Sequence, residues 1–250
     1  MRGKVARVAA AAAAVAALVA SIAFGASEGG ELASANANIN NTASLQRGAK
    51  YFVNYCLGCH SAQYVRYNKL AEGLKLTEDQ LVQNLIFTDQ QPFETMTNAM
   101  PREDAERWFG ITPPDLSLIS RARGQDYIYN FLQGFYFDPS KPTGANNVVL
   151  PNTAMPHVLW ELQGIRRPIF EESEGEDGAP VISGFETVVP GLLTEEEFDQ
   201  VARDIVNFLG YIGEPMQLER RSLGIRVIGF LLVFLLLAWM LKREIWKDVH

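Results

Sequence analysis

Two long apolar runs lie at opposite ends of the chain, and shorter amphipathic segments lie between them. The first run, residues 8–24, comes after a positively charged start and consists mostly of alanine and valine. Small residues on either side of Phe24 are typical of the cleavage site of an exported protein. Because alanine is only weakly favoured in a bilayer, the pattern predicts a signal peptide over residues 1–25 rather than a retained membrane helix.

The second apolar run, residues 227–241, is uninterrupted and lies near the C-terminus. If it is begun at Leu223 it has 19 residues with Arg226 as its one charge, close to the roughly 20 that cross a bilayer. A buried core helix of a soluble domain would carry a polar face, and this run has none. We therefore predict a transmembrane helix over residues 220–242 and a cytoplasmic tail at 243–250. Because a signal peptide directs export, the domain between the two runs is predicted to lie outside the cytoplasm.

The middle of the chain shows mostly helical periodicity. Small polar residues predict a linker or loose arm over 26–43, followed by a domain over 44–219. Helices are expected over 44–55, 77–87 and 194–212, and the last two begin with capping boxes, Thr77 with Gln80 and Thr194 with Glu197. Each of these two is expected to have one apolar face: Leu81, Val82, Leu85 and Ile86 in the first, and Phe198, Val201, Ile205, Phe208 and Ile212 in the second. A further helix start is expected at 112–115, where proline would occupy the first helical position. We expect residues 88–111 to be irregular and residues 136–191 to be mostly loop with short strands.

Composition excludes several classes of protein. Hydrophobic residues make up 48% of the chain, too many for a disordered protein, and its two cysteines cannot build a disulfide scaffold. The formal net charge of −7 argues against nucleic-acid binding, which needs clustered lysine and arginine.

Both cysteines belong to one motif, Cys56-Leu-Gly-Cys59-His60. Two thiols three positions apart can add to the two vinyl groups of one haem, and the next residue then presents an imidazole to the iron. A thioredoxin-like redox pair uses the same spacing of cysteines, but it requires a preceding strand in a βαβ frame, whereas a helix is predicted here. A four-ligand zinc site lacks a second pair of ligands. The motif therefore predicts covalently bound haem.

The helix before the motif supports this prediction. Gly48, Phe52 and Cys56 are spaced by four and share one helix face. The arrangement resembles class I cytochromes c, in which the N- and C-terminal helices cross at such a glycine. The helix predicted over 194–212 is the natural partner for that crossing.

The second axial ligand of the iron has several candidates. The predicted exported domain contains His157 and four methionines: Met96, Met100, Met155 and Met216. A thioether suits a low-spin haem, and Met155 lies in a proline-bounded loop between the motif and the last helix of the domain. Met155 is therefore favoured, Met100 is its rival, and His157 would give a haem with two histidine ligands.

Several motifs together resemble the cytochrome c1 family. They are the haem motif followed by serine, the Pro-Pro-Asp-Leu-Ser segment at 113–117, the Arg-Ala-Arg segment at 121–123 and the single C-terminal span. The resemblance covers roughly residues 44–247. It implies one covalent haem c, with Cys56 and Cys59 as attachment points, His60 and Met155 as iron ligands and Arg121 on a haem propionate. The Met155-Pro-His157 segment differs from the family pattern, which keeps His157 as an alternative ligand.

The resemblance also implies a function. The chain would be a mostly α-helical class I cytochrome c-like haem domain with loop insertions, anchored by one helix in the bacterial inner membrane and facing the periplasm. It would take one electron from a Rieske iron–sulfur protein and pass it to a soluble cytochrome c, beside cytochrome b in a quinol–cytochrome c reductase, with no substrate chemistry of its own. The alternatives are a cytochrome c subunit of a terminal oxidase and a membrane-anchored thiol–disulfide oxidoreductase.

Overall fold

The structure, a computed structural model, describes residues 32–171 and 181–249. The predicted signal peptide and most of the acidic run at 171–177 lie outside these residues. The described elements are predominantly helical. The helices are α1 (Thr42–Tyr51), α2 (Tyr67–Leu74), α3 (Glu78–Leu85), α4 (Arg102–Phe109), α5 (Ile119–Arg123), α6 (Gln125–Gln133), α7 (Trp160–Gln163), α8 (Glu195–Gly213) and α9 (Gln217–Ile245).

The described strands form three antiparallel pairs. They are β1 (Ala62–Arg66) with β2 (Thr95–Met96), β3 (Phe135–Phe137) with β4 (Ala145–Asn147), and β5 (Gly164–Glu171) with β6 (Val181–Pro190). Parallel pairing of the kind a βαβ unit requires does not occur among them. The described part of the chain thus lacks the frame that a thioredoxin-like fold needs.

Helices α1 and α8 cross at Gly48, as the sequence predicts. A Cβ atom built on Gly48 would overlap the backbone oxygen of Asp204 and lie 2.7 Å from the Cβ of Phe208. One turn further along α1, Phe52 is fully buried and its ring centroid is 5.3 Å from that of Phe208. The glycine therefore lets the two helix backbones touch, and the phenylalanines extend the contact toward the cysteine motif.

A buried carboxylate anchors the same crossing. Asp204 on α8 is 1% exposed, and Arg47 on α1 holds it with two hydrogen bonds of 2.6 and 2.9 Å. The hydroxyl of Ser44 and the side-chain amide of Gln200 donate to the same carboxylate at 2.6 and 2.9 Å. A buried charge is tolerated when it is paired and hydrogen-bonded in this way.

Both predicted capping boxes are present. In α3 and α8 the threonine side chain accepts from the backbone N–H of the third helical residue. The side chain of that residue accepts in turn from the backbone N–H of the threonine. All five apolar positions predicted for the α8 face are buried: Phe198, Val201, Ile205, Phe208 and Ile212. In α3, Leu81 and Leu85 are buried, but Val82 is exposed and does not join the predicted face.

The segment predicted as a loose arm is held against the domain from Ala33 onward. The Ala35 backbone N–H donates to Asp126 on α6 at 2.7 Å, and Arg203 on α8 donates to the Ala35 carbonyl at 2.7 Å. Asn207 donates to the Asn38 carbonyl at 2.8 Å. Ala35 itself is fully buried, so this segment packs against the domain instead of forming a loose arm.

Three other local expectations are wrong. Residues 88–111 contain strand β2 and helix α4, whose first turn carries Glu103 and Asp104, which favour a helix start. Residues 136–191 hold the longest strand pair, β5 with β6, rather than mostly loop. No helix begins at 112–115; the chain is extended there and α5 starts only at Ile119.

Helix α9 is long and apolar enough to cross a membrane, and its apolar residues are exposed throughout. A helix of 29 residues that is apolar on every side fits a lipid environment rather than a protein core. The chain therefore has a single-pass architecture within its described residues.

We predict that Gly48→Ala weakens the domain, because its methyl group would meet backbone atoms that cannot turn away. Overpacking of this kind costs about 1–3 kcal/mol, so the thermal midpoint should fall by a few degrees. Gly184→Ala is the control, because the nearest atom to its Cβ is 3.9 Å away. Far-UV circular dichroism of the detergent-purified proteins checks this. Equal midpoints for the two variants would contradict a close crossing at Gly48.

Candidate haem site

The cysteine motif lies on one tight turn that continues α1. A π-helical turn, Phe52–Cys56, comes directly after α1, and the His60 backbone N–H closes the motif by donating to the Cys56 carbonyl at 2.8 Å. Wide helical turns of this type occur often at functional sites. The turn and this bond together hold Cys56, Cys59 and His60 on one bend of the chain.

Both thiols are unpaired and protonated at neutral pH. Burial raises the pKa of Cys56 to about 12, with a further contribution from Cys59, and burial also raises the pKa of Cys59. Thiol–disulfide exchange needs a thiolate, and oxidoreductases obtain it by lowering the pKa of the attacking cysteine. The environment of these cysteines raises the pKa of both thiols instead, which disfavours a thiol–disulfide oxidoreductase.

The His60 ring is oriented for metal binding through Nε2. Its Nδ1 lies 2.7 Å from the backbone oxygen of Pro114. Because a carbonyl only accepts, the proton of a neutral ring is on Nδ1, and the lone pair of Nε2 is left for a metal. Burial lowers the pKa of His60, although the Pro114 bond and Asp115 oppose that shift, so the ring is neutral at pH 7.

The Pro-Pro-Asp-Leu-Ser segment supplies this carbonyl by pairing with the chain just beyond the motif. The Leu116 N–H donates to the Ser61 carbonyl at 2.8 Å, and the Gln63 N–H donates to Asp115 Oδ2 at 2.9 Å. The Tyr64 N–H donates to Ser117 Oγ at 3.1 Å. These bonds require an extended segment, which explains why the helix predicted at 112–115 does not form.

Asn98 holds the motif from another direction, and sequence reasoning missed it. Its side-chain amide donates to the Cys59 carbonyl, and its backbone N–H donates to Ser61 Oγ at 3.0 Å. Asn98 lies in the stretch expected to be irregular, and no spacing or motif distinguishes it there. Its role depends on contacts between segments that are nearly 40 residues apart.

The methionines differ in their surroundings. Met96 is fully buried in the hydrophobic core, and Met216 is exposed at the start of α9. Met100 and Met155 are partly buried. The choice between Met155 and Met100 as the iron ligand stays a prediction.

His157 is packed as part of the protein interior. Its ring stacks on Phe135 with centroids 5.0 Å apart and an interplanar angle of 2°. Burial and the nearby charge of Arg166 lower its pKa to about 4, and its buried Nε2 has no hydrogen-bond partner. The stacking fixes the plane of the ring, and His157 stays the alternative iron ligand.

Arg121 lies on α5 beside the C-terminal end of α8. Its guanidinium is 3.1 Å from the carboxylate of Glu214, and 58% of its side chain is exposed. Arg220 on α9 is 2.5 Å from the other oxygen of Glu214. Arg121 therefore has an anionic partner within the protein, and its predicted contact with a propionate would have to be shared with that partner.

The donor set fits haem c. Two protonated thiols sit on the motif turn, and a neutral imidazole presents Nε2. Among residues 32–171 and 181–249, no three histidine, cysteine or acidic side chains gather into a site for a metal ion. The site thus offers one neutral imidazole together with two thiols, the groups by which a haem c would be held.

Comparisons with known proteins establish the family of the chain. A model of the cytochrome C1 family matches residues 35–249. Cytochrome c1 of Allochromatium vinosum is 51% identical over 226 residues, covering 90% of this chain and 93% of that protein. A Nitrosomonas europaea protein named ammonia monooxygenase gamma subunit is 44% identical over 207 residues, covering 83% of this chain and 84% of that protein. The cytochrome b-c1 complex catalytic subunit of Candida albicans mitochondria is 28% identical over 228 residues, covering 83% and 72%. With a family match over most of its length and these relatives, the chain belongs to the cytochrome C1 family.

Proposed function

We propose that this chain is a membrane-anchored c-type cytochrome that carries single electrons from a Rieske iron–sulfur protein to a soluble cytochrome c, within a quinol–cytochrome c reductase that also contains cytochrome b. The observation that carries the proposal is the cysteine turn, in which two protonated thiols accompany a histidine whose Nδ1 is bound to Pro114. An electron-transfer role also agrees with the family to which the chain belongs.

In this proposal Cys56 and Cys59 would hold one haem through thioether bonds, and His60 Nε2 and the sulfur of Met155 would bind its iron. The group would supply a metal that exchanges one electron, and with both of these side chains bound to it the iron would take up no substrate. The protein's part is to keep His60 neutral and oriented and to exclude water from the ligands. Phe52 and Cys56, the first and last residues of the turn, are buried, and their burial would keep water away from it.

We further propose that Arg121 binds a propionate while keeping its contact with Glu214. A guanidinium has five N–H donors in a planar fork and can serve two carboxylates. Glu214 lies between Arg121 and Arg220, so the same ion pair would connect the haem edge to the start of the membrane helix. The haem domain is assigned to the periplasmic side of an inner membrane, as the predicted signal peptide requires.

The alternatives differ in what they would co-purify with. A terminal-oxidase subunit would be isolated with an oxidase, whereas our proposal requires cytochrome b and a Rieske protein in the same detergent-stable complex. The monooxygenase name belongs to the Nitrosomonas europaea relative, and our proposal rests on the cysteine turn and the single span of this chain.

Covalent attachment is tested by replacing the cysteines. We predict that Cys56→Ala with Cys59→Ala abolishes haem staining on a denaturing gel, because no thioether remains, and that each single variant keeps a weaker stain. The parent protein is the positive control. A parent that never stains, but whose two thiols form a reversible disulfide, would instead support the oxidoreductase alternative.

The axial ligand is tested by a pair of methionine variants. Met155→Leu should leave the haem attached but high-spin or weakly ligated, with a lower potential, because a thioether ligand raises the potential. Met100→Leu, the matched control, should keep a low-spin spectrum. Electron paramagnetic resonance and redox titration measure both effects. A loss of low-spin signal in Met100→Leu alone would transfer the assignment to Met100.

Charge should govern the encounter with a basic electron acceptor. Residues 26–219 contain 27 acidic and 13 basic residues, a net charge of −14. Electrostatic steering raises association rates by about 10–10³-fold and fades as the Debye length falls from about 10 Å at 0.1 M salt to about 3 Å at 1 M. We predict that electron transfer to such an acceptor slows steeply as ionic strength rises. Stopped-flow measurements over a salt series check this.

The acidic run at 171–177 holds five of these 27 acids, and we expect it to contribute to this attraction. Neutralising its five acids should lower the rate at low salt and flatten the salt dependence, while the haem spectrum stays unchanged. The control neutralises five exposed acids elsewhere on the domain: Glu72, Asp79, Asp89, Glu103 and Glu161. Equal slopes for the two variants would mean that total charge, rather than the run, draws in the acceptor.

A further inference from the structure

We infer that Asp115 is a positioning residue for the iron ligand His60: through two backbone N–H groups it holds the Pro114 carbonyl on His60 Nδ1 and so sets the orientation and electron donation of the imidazole. The inference rests on the proposed haem at Cys56, Cys59 and His60. It concerns the acid within the Pro-Pro-Asp-Leu-Ser segment, for which the motif itself gives no reason.

The geometry places Asp115 between the two segments that meet at His60. Its Oδ2 accepts from the Gln63 N–H and its Oδ1 accepts from the Ser117 N–H, both at 2.9 Å. Gln63 lies three residues after His60, and Ser117 lies three residues after Pro114. The Asp115 carboxylate therefore connects the segment that carries His60 to the segment that carries the Pro114 carbonyl.

The peptide bond between Pro114 and Asp115 transmits this constraint. The oxygen of that peptide is the one that accepts from His60 Nδ1 at 2.7 Å. With the Asp115 side chain fixed at both oxygens and the next residue, Leu116, bonded to Ser61 at 2.8 Å, the plane of the peptide has little freedom to rotate. A substitution at Asp115 should therefore displace the Pro114 oxygen and so alter its hydrogen bond with His60 Nδ1.

A carboxylate is the side chain that this position requires. Two N–H donors converge on it, so both of its outer atoms must accept. Asparagine offers one acceptor oxygen and would turn an NH2 group toward the other N–H. Glutamate keeps both acceptors and the charge but moves them outward by one methylene. The two variants therefore separate the geometry of the acid from its charge.

The expected consequence is electronic. A histidine ligand that donates its second N–H to a well-placed acceptor is more basic, and it stabilises the ferric iron. If the Pro114 oxygen drifts, that donation weakens and the midpoint potential rises. The ring also loses its fixed orientation, to which the g-values of a low-spin ferric haem respond.

The test compares Asp115→Asn, Asp115→Glu and Asp89→Asn in the full-length detergent-purified haem protein. Asp89 is an exposed acid of the same chemical type outside the site, so its variant controls for the loss of one negative charge. Electron paramagnetic resonance gives the g-values, redox titration gives the potential, and haem stain normalises the amount of protein. We expect shifted or broadened g-values and a raised potential in both Asp115 variants, and parent values in Asp89→Asn.

Ser117→Ala extends the test without any change of charge. Ser117 is 1% exposed, and its hydroxyl accepts from the Tyr64 N–H in the same pairing. This variant should shift the g-values in the same direction by a smaller amount, and it stands in for Asp115→Asn if that protein does not accumulate.

Three results would overturn the inference. A raised potential in Asp115→Asn, with parent g-values and a parent-like Asp115→Glu, would mean that the residue acts by charge alone. Lower thermal stability with unchanged g-values and potential in all variants would mean a purely structural role. A parent protein without any low-spin haem signal would overturn the proposed function, and this inference with it.

Discussion

The backbone contact between α1 and α8 at Gly48 is the constraint on which the rest of the site depends. Because no side chain separates the helices there, the position of α1 along α8 is determined to within a small displacement. The cysteine turn is the direct continuation of α1. Any residue larger than glycine at this crossing would move the turn, and with it both thiols and His60.

The same helix, α8, connects the site to the membrane. It begins at a capping box, passes the crossing beside Asp204, and ends next to Glu214. Glu214 is mostly buried and pairs with Arg121 on α5 and with Arg220 on α9. Partly buried pairs that share one carboxylate define a geometry more firmly than isolated surface pairs do. The domain and the membrane helix therefore meet through the ion pairs of Glu214, at the end of the same helix, α8, that contacts Gly48.

The features that the sequence predicts correctly are those encoded locally. Capping boxes and the spacing of Gly48 with Phe52 involve residues within a few turns of one another, where periodicity and side-chain chemistry determine the outcome. The α8 face obeys the same rule, and all of its predicted positions are buried.

The features that could not be predicted depend on pairing between distant segments. Residues 112–115 have the composition of a helix start, but Asp115 accepts from the backbone near His60 instead of capping its own helix. Strands β5 and β6 contain proline and glycine, which are typical of loops, so the sequence of each segment alone does not indicate a strand. The two become strands by hydrogen-bonding to each other. Asn98 and the contact of Arg121 with Glu214 have no local signal at all. In the first two cases tertiary contacts overrode a local preference, and in the last two there was no local preference to override.

The two proposed iron ligands, His60 and Met155, differ in how firmly the protein holds them. On the His60 side, the ligand ring, its carbonyl partner and the flanking backbone are joined by short hydrogen bonds from several segments. On the Met155 side, the loop is fixed at its ends: Asn152 donates to Asn146 at 2.8 Å, and the His157 ring stacks on Phe135. Between these ends the Met155 N–H is 3.4 Å from Thr153 Oγ1, a long hydrogen bond. The protein thus holds His60 through hydrogen bonds from several segments, whereas Met155 lies in a loop that is held mainly at its ends.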